Sequence, residues 1–202
     1  MNTTDPVELL ERAIGYARGA LGAAATADPD SPTPCSEWRL GALLAHMSDS
    51  LDAFTEASSG LISIRPPSGD DPTPVGVLYD QACTLLGAWT SPAARTVRLG
   101  DRRLASGILL SAGALEIAVH AWDVARATRF DAPLPEGLAT DLLPAAYALV
   151  DAADRGVRFA EALPVPDAAP ASVRLLAFLG RSCPETGVSG GPLRSGQRTP
   201  FG

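Results

Sequence analysis

The chain has 202 residues, room for one domain or one domain with an extension, and 46% of them are hydrophobic, enough for a sizeable core. Its net charge is −7, and its 16 basic residues, all arginine, form no stripe or patch of the kind that binds nucleic acid. Three scattered cysteines (Cys35, Cys83 and Cys183) without CxxC spacing argue against a disulfide framework.

The opening "MNTTDPVELLERA" has acids and a helix cap where a signal peptide needs a basic and then an apolar run. No stretch is read as the roughly 20 apolar residues of a membrane span. A cytoplasmic location is therefore expected, with neither membrane nor nucleic acid as partner. Aromatics make up only 5%, so the core must be built from Leu, Ala and Val, a mixture that suits close-packed helices.

In chain order, the first helix is expected over 5–26, with Asp5 as N-cap, Pro6 at the first helical position and Leu9, Leu10, Ile14, Ala17 and Leu21 at helical spacing. Prolines break the chain over 27–37. A second helix over 38–59 carries the stripe Leu40, Leu44, Met47, Leu51 and Phe54. A long loop over 60–74 leads to a third helix over 75–91. The stretch 92–106, with "RTVRL" before a Gly-Asp turn, reads as a short strand or extended loop.

The fourth helix, 107–128, is apolar nearly all round and so is expected at the centre. A fifth over 134–153, with Pro144 as a possible kink, and a short final one over 171–181 follow. The last residues, 184–202, are polar and rich in Gly and Pro, which predicts a disordered tail behind a single domain over 1–183. Four principal helices with almost no strand pattern make the expected fold all-α, a four-helix bundle with short extra C-terminal helices and at most a small strand element.

"ALEIAVHAWDVARAT" (114–128) places Glu116, His120 and Asp123 in an otherwise apolar helix. A desolvated, unpaired carboxylate costs several kcal/mol or more, so Glu116 needs a partner. His120 follows Glu116 by four residues and shares its helix face. The chain's other histidine, His46, lies on the second helix and can complete a three-ligand set.

Two imidazoles and a carboxylate suit zinc and leave a fourth position for water or substrate; nickel, iron or manganese accept the same donors. Asp123 is near the same face, as an acceptor behind His120 or as a substrate contact. The spacing alone equally allows structural histidines with ordinary hydrogen-bond partners, and His46 sits at the edge of its helix's apolar stripe. Arg126 is a candidate contact for an anionic substrate, with a surface salt bridge as the plainer reading. Cys35 reads as a turn residue rather than a nucleophile, Trp38 and Trp122 as packing residues, and Arg181 either anchors the C-terminal segment or reaches the site.

Two segments, "TPCSEWRLGALLAHM" (33–47) and "EIAVHAWDVARAT" (116–128), together resemble the N-terminal metal-binding domain of mycothiol-dependent maleylpyruvate isomerases. These belong to the DinB-like superfamily of four-helix bundles. The second segment matches the His-x-Trp-Asp-x-Ala pattern as His120, Trp122, Asp123 and Ala125, and "RLLAFLGR" (174–181) resembles the end of a common actinobacterial branch.

The resemblance implies His46, Glu116 and His120 as metal ligands, the glutamate agreeing with the isomerase branch, and a cation as the partner that neutralises Glu116. It further implies a small-molecule electrophile and a low-molecular-weight thiol, mycothiol, as partners. A thiol with a pKa near about 8.5 becomes a nucleophile once a divalent cation deprotonates it. The expected protein is a thiol transferase or isomerase, monomeric or homodimeric. The alternatives are a non-catalytic metal-binding protein and a hydrolase or biosynthetic enzyme on the same scaffold.

Overall fold

The computed structural model describes residues 4–35, 38–63, 73–91, 93–156 and 159–182. Their fold is mainly helical. Helix α1 spans Pro6–Ala24, α2 Leu40–Ala57, α3 Val75–Thr90 and α4 Ser106–Ala127; α5 (Glu136–Leu149) and α6 (Ala171–Phe178) follow. A small three-stranded sheet of β1 (Leu61–Ile62), β2 (Thr96–Leu99) and β3 (Arg102–Ala105) accompanies them. The expected helical bundle with a minor strand element is what the chain forms.

Local chemistry explains the helix ends. Asp5 accepts a hydrogen bond from the Val7 backbone N–H at 2.8 Å, and Pro6, whose missing N–H is no loss there, opens α1. The fifth helix ends at Leu149, short of the expected 153, and a single 3₁₀ turn over Ala152–Asp154 replaces its last turn. That turn is closed by a capping box between Asp151 and Asp154, whose side chains bond backbone N–H groups better outside a helix than within it. Pro144 lies inside α5, which continues through it.

The stretch after α3 forms a complete antiparallel hairpin, β2 pairing Thr96 with Ala105 and Leu99 with Arg102. Part of the expected 60–74 loop, Leu61–Ile62, adds to it as a parallel edge strand against Arg98 and Leu99. Two residues carry too little alternation for a strand to be read from them.

Helix α4 is the centre of the molecule. It packs most extensively on α1 and also contacts α2 and α5, while α3 closes the bundle against α1 and α2. From Gly113 to Ala125 every residue of α4 is buried except Glu116. Leucine is the commonest core residue, with Leu10, Leu40, Leu43, Leu78, Leu85 and Leu142 fully buried. Each contributes on the order of 2 kcal/mol relative to an exposed side chain.

No membrane span is expected from the sequence, yet by length and apolarity α4 alone among the described helices could cross a bilayer. Here 78% of its apolar window is buried against the rest of the protein. Residues 184–202, expected as a disordered tail, lie outside the described residues, as does Cys183.

The C-terminal end of α6 has a direct bearing on the site. The Arg181 N–H donates to the Leu176 carbonyl at 2.8 Å and the Gly180 N–H to the Ala177 carbonyl at 3.0 Å, a Schellman termination. Gly180 has φ +79°, and a Cβ there would meet Ala160 Cβ at 2.6 Å. Only glycine fits, and the turn it permits sends Arg181 back into the bundle.

Candidate metal centre

His46 comes from α2; Glu116 and His120 come from α4, one turn apart on one face. The fold brings these three together. Glu116 Oε1 lies 2.5 Å from His46 Nε2 and 3.2 Å from His120 Nε2, and one ligand atom from each residue falls within 4.8 Å of the other two. The chemistry of the donors fits a divalent cation: two imidazoles and one carboxylate whose ligand atoms converge on a common point. His46 and Glu116 are partly accessible from a cleft, and His120 is buried.

Asp123 is fully buried behind His120 and accepts from its Nδ1 at 3.0 Å. A carboxylate only accepts, so Nδ1 carries the hydrogen and Nε2 is left to face Glu116. Arg181 completes the line, its Nη2 donating to the same carboxylate oxygen at 2.9 Å while Nη1 donates to the Leu179 carbonyl. Metal-binding histidines are commonly oriented by such a carboxylate. Arg181 thus performs both roles that the sequence left open: it ties the C-terminal segment down and lines the cleft.

The protonation states form one coupled set. Burial opposes the Glu116 charge, but the two imidazoles outweigh it and hold the carboxyl well below its usual range. Burial likewise disfavours charged His120, yet the Glu116 charge and the hydrogen bond to Asp123 raise its pKa to about 9. Burial of Asp123 is outweighed by His120 and Arg181, which lower its pKa, while Asp123 raises that of Arg181. His120 is therefore doubly protonated at neutral pH in the ion-free cluster, and a cation held by these donors would have to displace the proton on Nε2.

The cleft has a volume of about 460 Å³ and is lined by His46, Glu116 and His120 together with Cys35, Trp38 and Arg181. Trp38, read from sequence as a packing residue, lies with its ring centroid 4.2 Å from that of His46 and 5.7 Å from that of His120. The loop before α2 positions it: the Thr33 hydroxyl lies 2.8 Å from the carbonyls of both Cys35 and Trp38, and the Trp38 N–H donates to the Cys35 carbonyl. Cys35 is accordingly a turn residue, and it also lines the cleft.

Ser50, which sequence reasoning missed, is 3.4 Å from Glu116 Oε1. Its position four residues after His46 on the same helix is the signal that could have found it. Trp122 is buried and does not line the cleft. Arg126 does not line it either; its guanidinium sits 5.7 Å from the Trp122 ring and bonds the Phe130 carbonyl at 3.5 Å. The substrate contact considered for Arg126 has no support in this placement, because helical rotation carries it past the face that holds His120.

Comparison with known proteins agrees with this construction. Two proteins of Mycobacterium tuberculosis, Uncharacterized protein Rv0738 of strain H37Rv and Uncharacterized protein MT0763 of strain CDC 1551, are each 31% identical over 183 residues. Each match covers 88% of this chain and 98% of the relative. No solved structure matches the chain significantly. Residues 10–125, which carry all three converging donors, match the family model described as the mycothiol maleylpyruvate isomerase N-terminal domain, and the chain belongs to that DinB-like family.

Proposed function

We propose that this protein is a divalent-metal-dependent enzyme, most suited to zinc, that uses a low-molecular-weight thiol of the mycothiol type. The thiol is transferred to a small electrophile or serves to isomerise it. The observation that carries the reading is the convergence of His46, Glu116 and His120 within 4.8 Å beside an open cleft. Three protein donors leave room in the coordination sphere for a substrate atom. A divalent cation bound there supplies the charge that keeps a thiol as its nucleophilic thiolate at neutral pH.

The chain's own residues do the positioning. Asp123 holds the His120 ring with Nε2 toward the donors, and Arg181 holds Asp123 ionised in its buried place. Trp38 packs beside the His46 ring and gives the cleft an apolar wall. The Ser50 hydroxyl supports the Glu116 oxygen shared by both imidazoles. The family description supports the thiol by naming mycothiol. A cytoplasmic location suits such a cosubstrate, since thiols stay reduced there.

Metal content of purified protein, wild type beside His120→Ala, followed by thiol titration of the cobalt-substituted protein, tests the reading. About one equivalent of metal, lost in the variant, with a new thiolate-to-cobalt absorption band, is the expected result. Metal without a thiol response moves the assignment to hydrolysis or a non-catalytic metal-binding role. No metal under replete conditions overturns it.

A further inference from the structure

A second cavity, of about 370 Å³, opens on the α1 and α3 side of Glu116. Ser50 and Glu116 line both this cavity and the cleft described above, so these two side chains form the partition between them. Its walls are aliphatic, with Ile14 and Leu21 of α1, Met47 and Leu51 of α2, Leu86 of α3 and Ile117 of α4. The volume falls within the range of about 300–1,000 Å³ that small-molecule sites occupy. Water in such a chamber finds few hydrogen-bond partners, so an apolar guest displaces it favourably.

The glycines of α1 sharpen the point. Each glycine inside a helix costs roughly 0.5–1 kcal/mol relative to alanine, so each calls for a reason. A Cβ added at Gly19 would meet the Phe130 ring at 3.4 Å, and one at Gly22 the Tyr79 hydroxyl at 3.2 Å. At Gly15 an added Cβ meets nothing within 4 Å, so packing does not require glycine there. Gly15 lies on the cavity's exposed rim, where a side chain would narrow the mouth.

We propose that this chamber binds the apolar portion of an uncharged substrate, an alkyl or aryl molecule whose single polar or electrophilic end is directed at Glu116. The charges specify the class. Among the described lining residues Arg18 is the only cation; it is exposed at the rim, with Glu11 also on the rim. Among the described lining residues no buried one is a cation, so a dicarboxylate would give up its hydration without a counter-ion in the chamber. Binding itself rests on the cavity alone. That the bound molecule is the electrophile, met by a thiol from the Trp38 side, rests on the function proposed above.

The two methionines of the chain, Met1 and Met47, make the test direct, because Met47 is buried on the cavity wall. Full-length protein labelled with ¹³C at the methionine methyls is titrated with 1-octanol, ion-free and zinc-loaded, with sodium maleate as the charged control. The Met47 resonance is expected to shift saturably with octanol and not with maleate. Gly15→Phe at the mouth and Ala82→Leu on the wall should each weaken the response at least about tenfold.

No Met47 shift up to the solubility limit of octanol overturns the proposal, as does a response undiminished in both folded variants. An equal response to maleate overturns the assigned ligand class. His120→Ala separates the two readings. Octanol binding retained in that variant supports the cavity whatever the metal result, whereas metal binding with a silent Met47 removes this inference alone.

Discussion

Two arginine–aspartate pairs tie distant parts of this chain together, and burial sets them apart. Arg12 on α1 meets Asp141 on α5 at 2.6 Å with about a third of each side chain accessible (33% and 31%). Arg181, just past α6, meets Asp123 on α4 at 2.9 Å with 7% and 0% accessible. The shorter contact is the less consequential one. In water the Arg12–Asp141 attraction is screened and offset by side-chain ordering. In the interior neither Asp123 nor Arg181 has solvent to fall back on, so each depends on the other and both act on His120.

The sharpest way to break this contrast is to remove each arginine. Arg181→Met, which removes the guanidinium and leaves the His120 imidazole as the remaining partner of buried Asp123, is expected to lose about 3–5 kcal/mol in urea unfolding. A loss below about 1 kcal/mol would mean that water reaches Asp123. Protonation of the buried cluster gives the next effect. His120 has its pKa raised from 6.5 to about 9 in the ion-free fold, so its contribution is complete below pH 6.5 and is lost as pH rises through 9.

Thermal melts of ion-free protein between pH 6 and 10 should therefore fall with pH, by up to about 3 kcal/mol in stability. Zinc-loaded protein should not follow that fall, because the cation competes with the Nε2 proton and gains as the proton leaves. Asp123→Asn keeps an acceptor for His120 Nδ1 but removes the charge. Zinc affinity by competition with a chelator is expected to drop about 10–100-fold. The smallest effect belongs to the surface: a double-mutant cycle on Arg12 and Asp141 should give about 0–1 kcal/mol, shrinking further at high salt.

Much of this molecule was readable from its pattern. Each principal helix falls within two residues of the span expected from apolar periodicity and capping residues, because both signals are local. Glu116 and His120 stood out for the same reason, being a polar pair at one-turn spacing in an apolar run. The function of Trp38 was not legible, since an aromatic before a helix looks the same whether it faces a core or a cleft. Arg126 looked eligible by proximity to His120 along the chain, yet helical rotation carries it elsewhere.

The pairing of Asp123 with Arg181 joins residues 58 positions apart and hangs on the left-handed turn at Gly180. No periodicity encodes such a contact. The aliphatic chamber beside Glu116 is likewise invisible to pattern, because its walls come from the ordinary apolar faces of four helices. Spacing along the chain was sufficient for the helices, the apolar centre and the candidate donors, since these depend on which residues share a helix face. Which donors meet, which ion pair is dry and where space remains depend on how the helices stack, and stacking is settled by packing among residues far apart in sequence.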